Sequence, residues 1–465
     1  MISWEYEGLK NSYNLRGGLG VAVGFLARGL QNNGHHVNVE IPFGEWGYGY
    51  DKVVNNDEYI GIFSTFHKTH NPEESTGHHA YSILGPLLDY KSQDAEEKLV
   101  NSIEDLEALT NQIHSNIKHP KFKPYGYKET NVVHLHDWQF ARVAEKIRKD
   151  REKSGVQTPK IVATIHNGLY QGNLILTPEI AQILGIPFVD SPYENKRHSY
   201  LKTLIDNSDE VVTVGKTYAE QFNTMFSGLC TKPIHAIPNG FDFEGTLVYE
   251  TAKTNDSINL PGVVLNEKPE NSTLAIGGRL TTEKGIEAIL LALPTLSKMY
   301  ENILIFGEFQ NRGIEELIRT YLPGNVEILG KIPRNQVLDV LKNSHAFLAP
   351  SLHEPFGLLP LEAMAQGAIP IVSDVSGHHD NFVDIRDDPD KGTAVVIKEL
   401  NDDNAIMIKP TTLCEEIVKA AEYALTLIKG KFAHGLLIKN AADQIKSERW
   451  SISEYVRKYE EIYSL

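Results

Sequence analysis

The chain has 465 residues, with 45 Lys and Arg against 61 Asp and Glu, giving a formal net charge of −16 at pH 7. This length exceeds one compact core, so two domains are the simplest organisation, and 41% hydrophobic with 23% charged residues excludes extensive disorder. The acidic balance argues against nucleic acid or an anionic membrane as the main partner, and two cysteines, Cys230 and Cys414, cannot build a disulfide framework, which fits a reducing, cytoplasmic setting.

The opening MISWEYEGLKNSYNLRGG has neither the basic segment nor the long apolar stretch of a secretory signal, and no apolar run nears the roughly 20 residues that span a bilayer. A short first strand is expected at MISWEY, and residues 17–34 carry helical apolar spacing that ends at Gly34. Residues 37–43, 131–138, 160–167, 209–215 and 232–239 read as strands, and 141–153 and 216–226 as helices. Residues 44–130, rich in Gly, Asn, His and charge, are expected to hold insertions. Beyond 272 the alternation is regular. Strands are expected at 272–278, 302–308, 325–332, 345–351 and 368–375, and helices at 284–300, 312–322, 334–343 and 356–367. Val/Ile/Leu-rich runs alternating with helices indicate two parallel, helix-covered sheets of Rossmann type, joined through the polar stretch 243–271.

Ligands of doubly wound sheets sit beyond the carboxyl ends of the strands, which selects the polar residues to weigh. Gly277, Gly278 and Arg279 close one strand, and Thr281–Gly285 is expected to begin the next helix, placing Arg279 and Lys284 where a helix N-terminus already favours an anion. At about 4 Å and an effective dielectric near 20, each cation is worth about 4 kcal/mol toward a diphosphate before desolvation. A solvated Arg and a helix-start Lys would look the same in sequence. Glu354 falls in the loop after another strand and Glu362 eight residues later, inside an apolar helix. Carboxylates so placed can accept paired hydrogen bonds from vicinal hydroxyls of a sugar or ribose. A helix-start role explains Glu354 adequately and Glu362 poorly.

In the first half, His134, His136 and Asp137 end a strand, and His166-Asn167-Gly168 ends another. The shared face of His134 and His136 raises a metal reading, but no third ligand stands at a convincing spacing. A lone His at a strand end, as His166 reads, is more often structural than catalytic. Gly17, Gly18 and Gly20 open a helix without forming the G-x-G-x-x-G fingerprint, and neither G-x-S-x-G nor G-x-x-x-x-G-K-[ST] occurs.

Seven segments in order, RGGLG (16–20), HLHDW (134–138), TIHNGLYQG (164–172), VGKTYAEQF (214–222), IPNGFD (237–242), GGRLTTEKG (277–285) and SLHEPFGLLPLEAMAQG (351–367), make the chain resemble the retaining GT-B glycosyltransferases. The resemblance is to the glycogen/starch synthase family and the related sucrose-synthase-type enzymes. It implies an α/β GT-B architecture of two Rossmann-like domains facing across a cleft. Residues 1–245 would bind the acceptor, 246–445 the nucleotide sugar, and a C-terminal helix in 446–465 would cross back to the first domain. It further implies a hexosyltransferase, independent of bound metal and of any cofactor, moving a hexose such as glucose from an ADP- or UDP-sugar to an α-glucan or small glycoside. Arg279 and Lys284 would neutralise the departing diphosphate, Glu354 would hold sugar hydroxyls, and His166 would contact the sugar near its anomeric centre. Gly18, Phe356, Gly357, Leu358 and Glu362 would complete the donor site, with Glu362 on the ribose. Asp137, Tyr170 and Gln171 would lie on the acceptor side.

The sequence departs from the glycogen-synthase pattern before the paired glycines, where those enzymes carry Lys two residues upstream and this chain has Leu15, with Arg16 beside it and Lys10 further upstream, and EPFGLLPLEAMAQG leans toward the broader sucrose-synthase-related family. Other readings are a transferase making a non-polymer glycoside, a nucleotide-sugar epimerase, a phosphorylase, and a catalytically silent carbohydrate-binding or regulatory protein.

Overall fold

The structure is a computed structural model that describes residues 18–35, 37–41, 48–52, 59–64, 130–154, 158–169, 173–174, 198–225, 229–230, 232–241, 271–309, 322–401, 405, 407–445 and 447–464, with scattered positions in 107–118 and 315–320. The first strand expected at MISWEY, the 243–270 stretch and Lys10, Leu15 and Arg16 lie outside the described residues, and so does most of the expected helix 312–322. The chain divides into two compact units, Met1–Gly240 with Ile452–Leu465, and Phe241–Ser451.

In the first unit, helix α1 (Gly18–Asn32) leads to β1 (Asn38–Ile41), which pairs in parallel with β3 (Tyr59–Ser64), itself antiparallel to β2 (Tyr48–Lys52). The expected helix end holds: Gly34 has φ +87, a left-handed position that glycine adopts without steric cost. A four-stranded parallel sheet follows in the order β4-β5-β8-β9, from β4 (Val132–His136), β5 (Lys160–Ile165), β8 (Glu210–Thr213) and β9 (Ile234–Ala236). Between them run α2 (Ala141–Ser154), the short β6 (Asn173–Leu174) and β7 (His198–Ser199), α3 (Tyr200–Asn207) and α4 (Lys216–Met225). The strands β2 and β3 fall in the 44–130 region expected to hold insertions.

The C-terminal helix (Ile452–Ser464) belongs to this first unit, although the chain reaches it only after building the second. Its Tyr455, Val456, Tyr459 and Ile462 recur at helical spacing and bury against Val23, Leu26, Ala27 and Leu30 of α1 and Val162 and Val212 of the sheet. Helix α1 approaches so closely that a Cβ at Gly29 would overlap Val456. Immediately before this helix, Trp450 is buried in the second unit, its indole N–H donating to Asn381 Oδ1 at 3.3 Å.

The second unit is a six-stranded parallel sheet in the order β12-β11-β10-β13-β14-β15. Its strands are β10 (Thr273–Leu280), β11 (Asn302–Phe309), β12 (Val326–Gly330), β13 (Ala346–Ala349), β14 (Ile369–Asp374) and β15 (Val395–Asn401). Numbered from its own first strand, the order is 3-2-1-4-5-6, the doubly wound arrangement with its switch point between β10 and β13. Period-two alternation covers both faces: Leu274 and Ile276 join the larger core, and Ala275 the smaller one with Phe306, Phe347 and Ala363. Helix α5 (Ile286–Met299) lies on the first face with Ile286, Ile289, Leu293 and Leu296 inward, as its apolar spacing requires. Helices α6 (Arg334–Lys342) and α7 (Leu358–Ala365) supply Leu341 and Ala363 to the second. The short α8 (Ser376–Asn381), the long α9 (Pro410–Lys429), which has Pro at its first position, and α10 (Lys431–Ile445) complete the unit. No described helix is long and apolar enough to cross a membrane.

Candidate active site

Two constellations form at strand ends, one in each unit. In the second unit, the switch point brings the loop after β10 beside the loop after β13. The sequence reading placed the start of a helix at Thr281–Gly285. The structure instead makes a single 3-10 turn, Thr282–Lys284, and then breaks at Gly285 (φ +74) before α5 begins. Only glycine fits this break: a Cβ at Gly285 would stand 2.5 Å from the carbonyl oxygen of Pro350. The Glu283 carbonyl accepts the Leu352 N–H at 2.7 Å, stitching the two loops together.

Lys284 and Glu354 meet across that seam. The ammonium donates to Glu354 Oε2 at 2.9 Å and to the His353 carbonyl at 3.2 Å, and the two side chains are only 20% and 17% exposed. Burial pushes the Glu354 carboxyl up, but the Lys284 ammonium, with a smaller contribution from His378, more than offsets it and holds the group at about 2. His353 and His378 are pushed down to about 4, chiefly by burial, with Lys284 acting in the same direction, so both rings are neutral at pH 7. Gly357 takes φ +90 as the residue before α7, where a Cβ would lie 2.8 Å from the His378 ring. Phe356 is buried, and its carbonyl accepts Asn381 Nδ2 at 2.6 Å.

Arg279, the penultimate residue of β10, is 55% exposed and pairs with Glu283 at 2.8 Å. Leu358 opens α7, and Glu362, one turn on, is 3% exposed with its Oε1 2.6 Å from the guanidinium of Arg334. Arg334, His378 and Ser373 were not singled out from sequence. Ser373 Oγ donates to the Ser351 carbonyl at 2.6 Å and lies 3.3 Å from His378 Nδ1, anchoring the loop before Glu354. The Arg334–Glu362 and Ser373–Ser351 contacts join distant segments, and the one local signal was the S-G-H-H-D run after β14.

In the first unit, β4 and β5 end side by side. Asp137 has φ +62, a strained conformation for a non-glycine residue, and its Oδ1 accepts the backbone N–H of His166 at 2.7 Å. Read from sequence as a lone histidine, His166 is not alone: its Nε2 lies 3.0 Å from Nδ1 of His136. Burial drives His166 down to about 3 and lowers His136 well below the ordinary range, so the pair is neutral. His134 packs on His136 with ring centroids 4.1 Å apart and hydrogen-bonds Thr164 Oγ1 at 2.7 Å and Tyr463 Oη at 2.8 Å. His134 is thus held by the C-terminal helix, and among the described residues no three His, Cys, Asp or Glu side chains converge as for a metal. Gly18 is the first described residue of α1, and Tyr170 and Gln171 lie outside the described residues.

Residues 1–232 match the family model described as the starch synthase catalytic domain, and residues 263–422 match that of glycosyl transferases group 1. The chain is a GT-B glycosyltransferase of the glycogen/starch synthase family. A glycogen synthase of Hydrogenobaculum sp. (strain Y04AAS1) is 26% identical to this transferase over 95% of each chain. Among solved structures, the catalytic domain of starch synthase IV from Arabidopsis thaliana, bound to ADP and acarbose, has a TM-score of 0.71 at 18% identity, covering 100% of this chain and 98% of that one. The sucrose-phosphate synthase from Thermosynechococcus elongatus has a TM-score of 0.63 at 19% identity, covering 100% and 97%. At these identities the structural likeness establishes the fold, and the activity class comes from the family.

Proposed function

We propose that this transferase moves glucose from ADP- or UDP-glucose to a hydroxyl of an α-glucan or small glycoside, with retention of configuration. The observation that carries the reading is the Lys284–Glu354 pair at the switch point of the second sheet, a cation and an ionised carboxylate in adjoining loops. On donor binding, Lys284 and Arg279 turn from their carboxylates to the diphosphate, where they stabilise charge that grows as the sugar–phosphate bond breaks. Glu354, freed of its ammonium, accepts hydrogen bonds from hydroxyls of the transferred sugar, and Phe356, Gly357 and Leu358 shape the loop around it. Glu362 accepts from the ribose hydroxyls.

In the first unit, Gly18 presents the N-terminus of α1 to the diphosphate, where backbone N–H groups and the helix dipole favour an anion. His166 contacts the sugar near its anomeric carbon, and Asp137, with Tyr170 and Gln171, serves the acceptor. The acceptor oxygen bonds to that carbon on the face the diphosphate leaves as the sugar–phosphate bond breaks, and its proton passes to the departing phosphate oxygen, so no protein nucleophile is needed. The two free cysteines support a reducing, cytoplasmic location.

Incubating the full chain with ADP-glucose or UDP-glucose and malto-oligosaccharides tests the reading. It predicts release of the nucleoside diphosphate together with lengthened oligosaccharides. Failure of both with either donor contradicts the glucan version.

A further inference from the structure

His136 is fully buried and hydrogen-bonded to His166. Both rings are neutral, so each carries one ring proton. The 3.0 Å contact between His136 Nδ1 and His166 Nε2 needs one proton between them, and either ring can supply it. The two arrangements differ in what they leave behind. If His166 Nε2 carries the proton, His136 must carry its own on Nε2, an atom buried with no hydrogen-bond partner. That leaves an orphaned N–H inside the protein. If His136 Nδ1 carries the proton, the orphan is an unmatched lone pair, and buried acceptors without partners are better tolerated than buried donors.

We infer that His136 is a positioning residue: it donates from Nδ1 to His166 Nε2 and so fixes His166 as the Nδ1–H tautomer, whose one hydrogen-bond donor is Nδ1. The inference rests on the proposed sugar-contacting role of His166 and deepens it. A donor there is addressed to an oxygen acceptor, a hydroxyl or ring oxygen of the transferred hexose, and does not accept a substrate proton. His134 backs the arrangement: its ring packs on His136, and its own nitrogens are held by Thr164 and Tyr463, so His136 cannot turn to find a partner for Nε2 without displacing that stack.

The test is nitrogen NMR of the full chain labelled with 15N-histidine, with the His166 signals assigned by their loss in His166→Gln. Long-range proton–nitrogen correlations distinguish the two neutral tautomers. The inference predicts His166 protonated at Nδ1 and bare at Nε2; protonation at Nε2 overturns it. Kinetics give a second reading. His136→Phe, which removes the donor but fills the space, lowers kcat by about 10- to 100-fold, while the donor KM stays within about twofold because ground-state binding is untouched. His136→Asn, whose amide can donate from the Nδ1 position, restores most of the rate. Equal loss in both variants, or a change confined to KM, contradicts the positioning role. If His166→Gln retains full activity while the native tautomer is Nδ1–H, the sugar-contacting role of His166 fails and the tautomer assignment stands.

Discussion

Lys284 Nζ lies 2.9 Å from Glu354 Oε2, and this contact joins the two loops that flank the switch point of the second sheet. Both groups are largely buried, and the Lys284 ammonium holds the Glu354 carboxyl ionised. Lys284→Ala should lower kcat/KM for the nucleotide sugar about 100- to 1,000-fold, the usual loss when a preorganised charge at the reacting centre is removed. The far-ultraviolet circular dichroism should remain that of the parent chain. Steady-state nucleotide release checks the rate, and full activity removes Lys284 from the role given to it.

Glu354 should make acid stability depend on this one pair. Its folded value, about 2, lies below the ordinary carboxyl value of 4.5, so its contribution is complete above about pH 4.5 and is lost as pH falls toward 2. The difference between those values corresponds to about 3 kcal/mol at most. Urea unfolding of the parent and of Glu354→Gln at several pH values should show a stability gap that narrows across that window. A gap that is constant with pH contradicts the ionised, paired state of Glu354.

Much of this arrangement was legible in the sequence, because strands and helices of the second unit follow from local apolar periodicity. Leu274, Ala275 and Ile276 alternate between two cores, and the strands expected at 272–278 and 345–351 run over Thr273–Leu280 and Ala346–Ala349. The carboxylate positions Glu354 and Glu362 were likewise readable from their placement after a strand, and Gly357 from the resemblance. Partners contributed by distant segments were not readable. Arg334 reaches Glu362 from α6, and His136 reaches His166 across 30 residues of sequence. The break at Gly285 was missed for the same reason, since the neighbour that leaves room there for glycine alone, Pro350, comes from a distant strand end. In the 44–130 region no sustained period exists to read.

His166 should not produce a pH limb near neutrality. Burial lowers it from 6.5 to about 3, so it is neutral throughout a pH 5.5–9 assay range. The kcat/KM profile of the parent chain should therefore show no inflection that disappears in His166→Gln. The linked stability effect has the opposite sense to a paired histidine: the unfolded chain gains a proton as pH falls below about 6.5 and the folded site does not, so stability declines from there toward pH 3. An inflection between pH 6 and 7 that is lost on replacing His166 would show that the ring is charged in the working enzyme.

Gly285→Ala should destabilise the second unit by about 1–3 kcal/mol, because alanine at φ +74 is strained and its Cβ meets the Pro350 carbonyl. Thermal unfolding followed by fluorescence checks this. The same substitution should weaken donor binding, since Lys284 is the preceding residue and moves with that turn. Unchanged stability contradicts the steric requirement for glycine at this position.

The central claim is retaining transfer of a hexose from a nucleotide sugar. Its most direct test is time-resolved proton NMR of the full chain with ADP-glucose or UDP-glucose and a malto-oligosaccharide. The account predicts a new α-anomeric signal that grows in equal amount with the released nucleoside diphosphate. A β-anomeric product, or conversion of the donor with no glycoside formed, would contradict it.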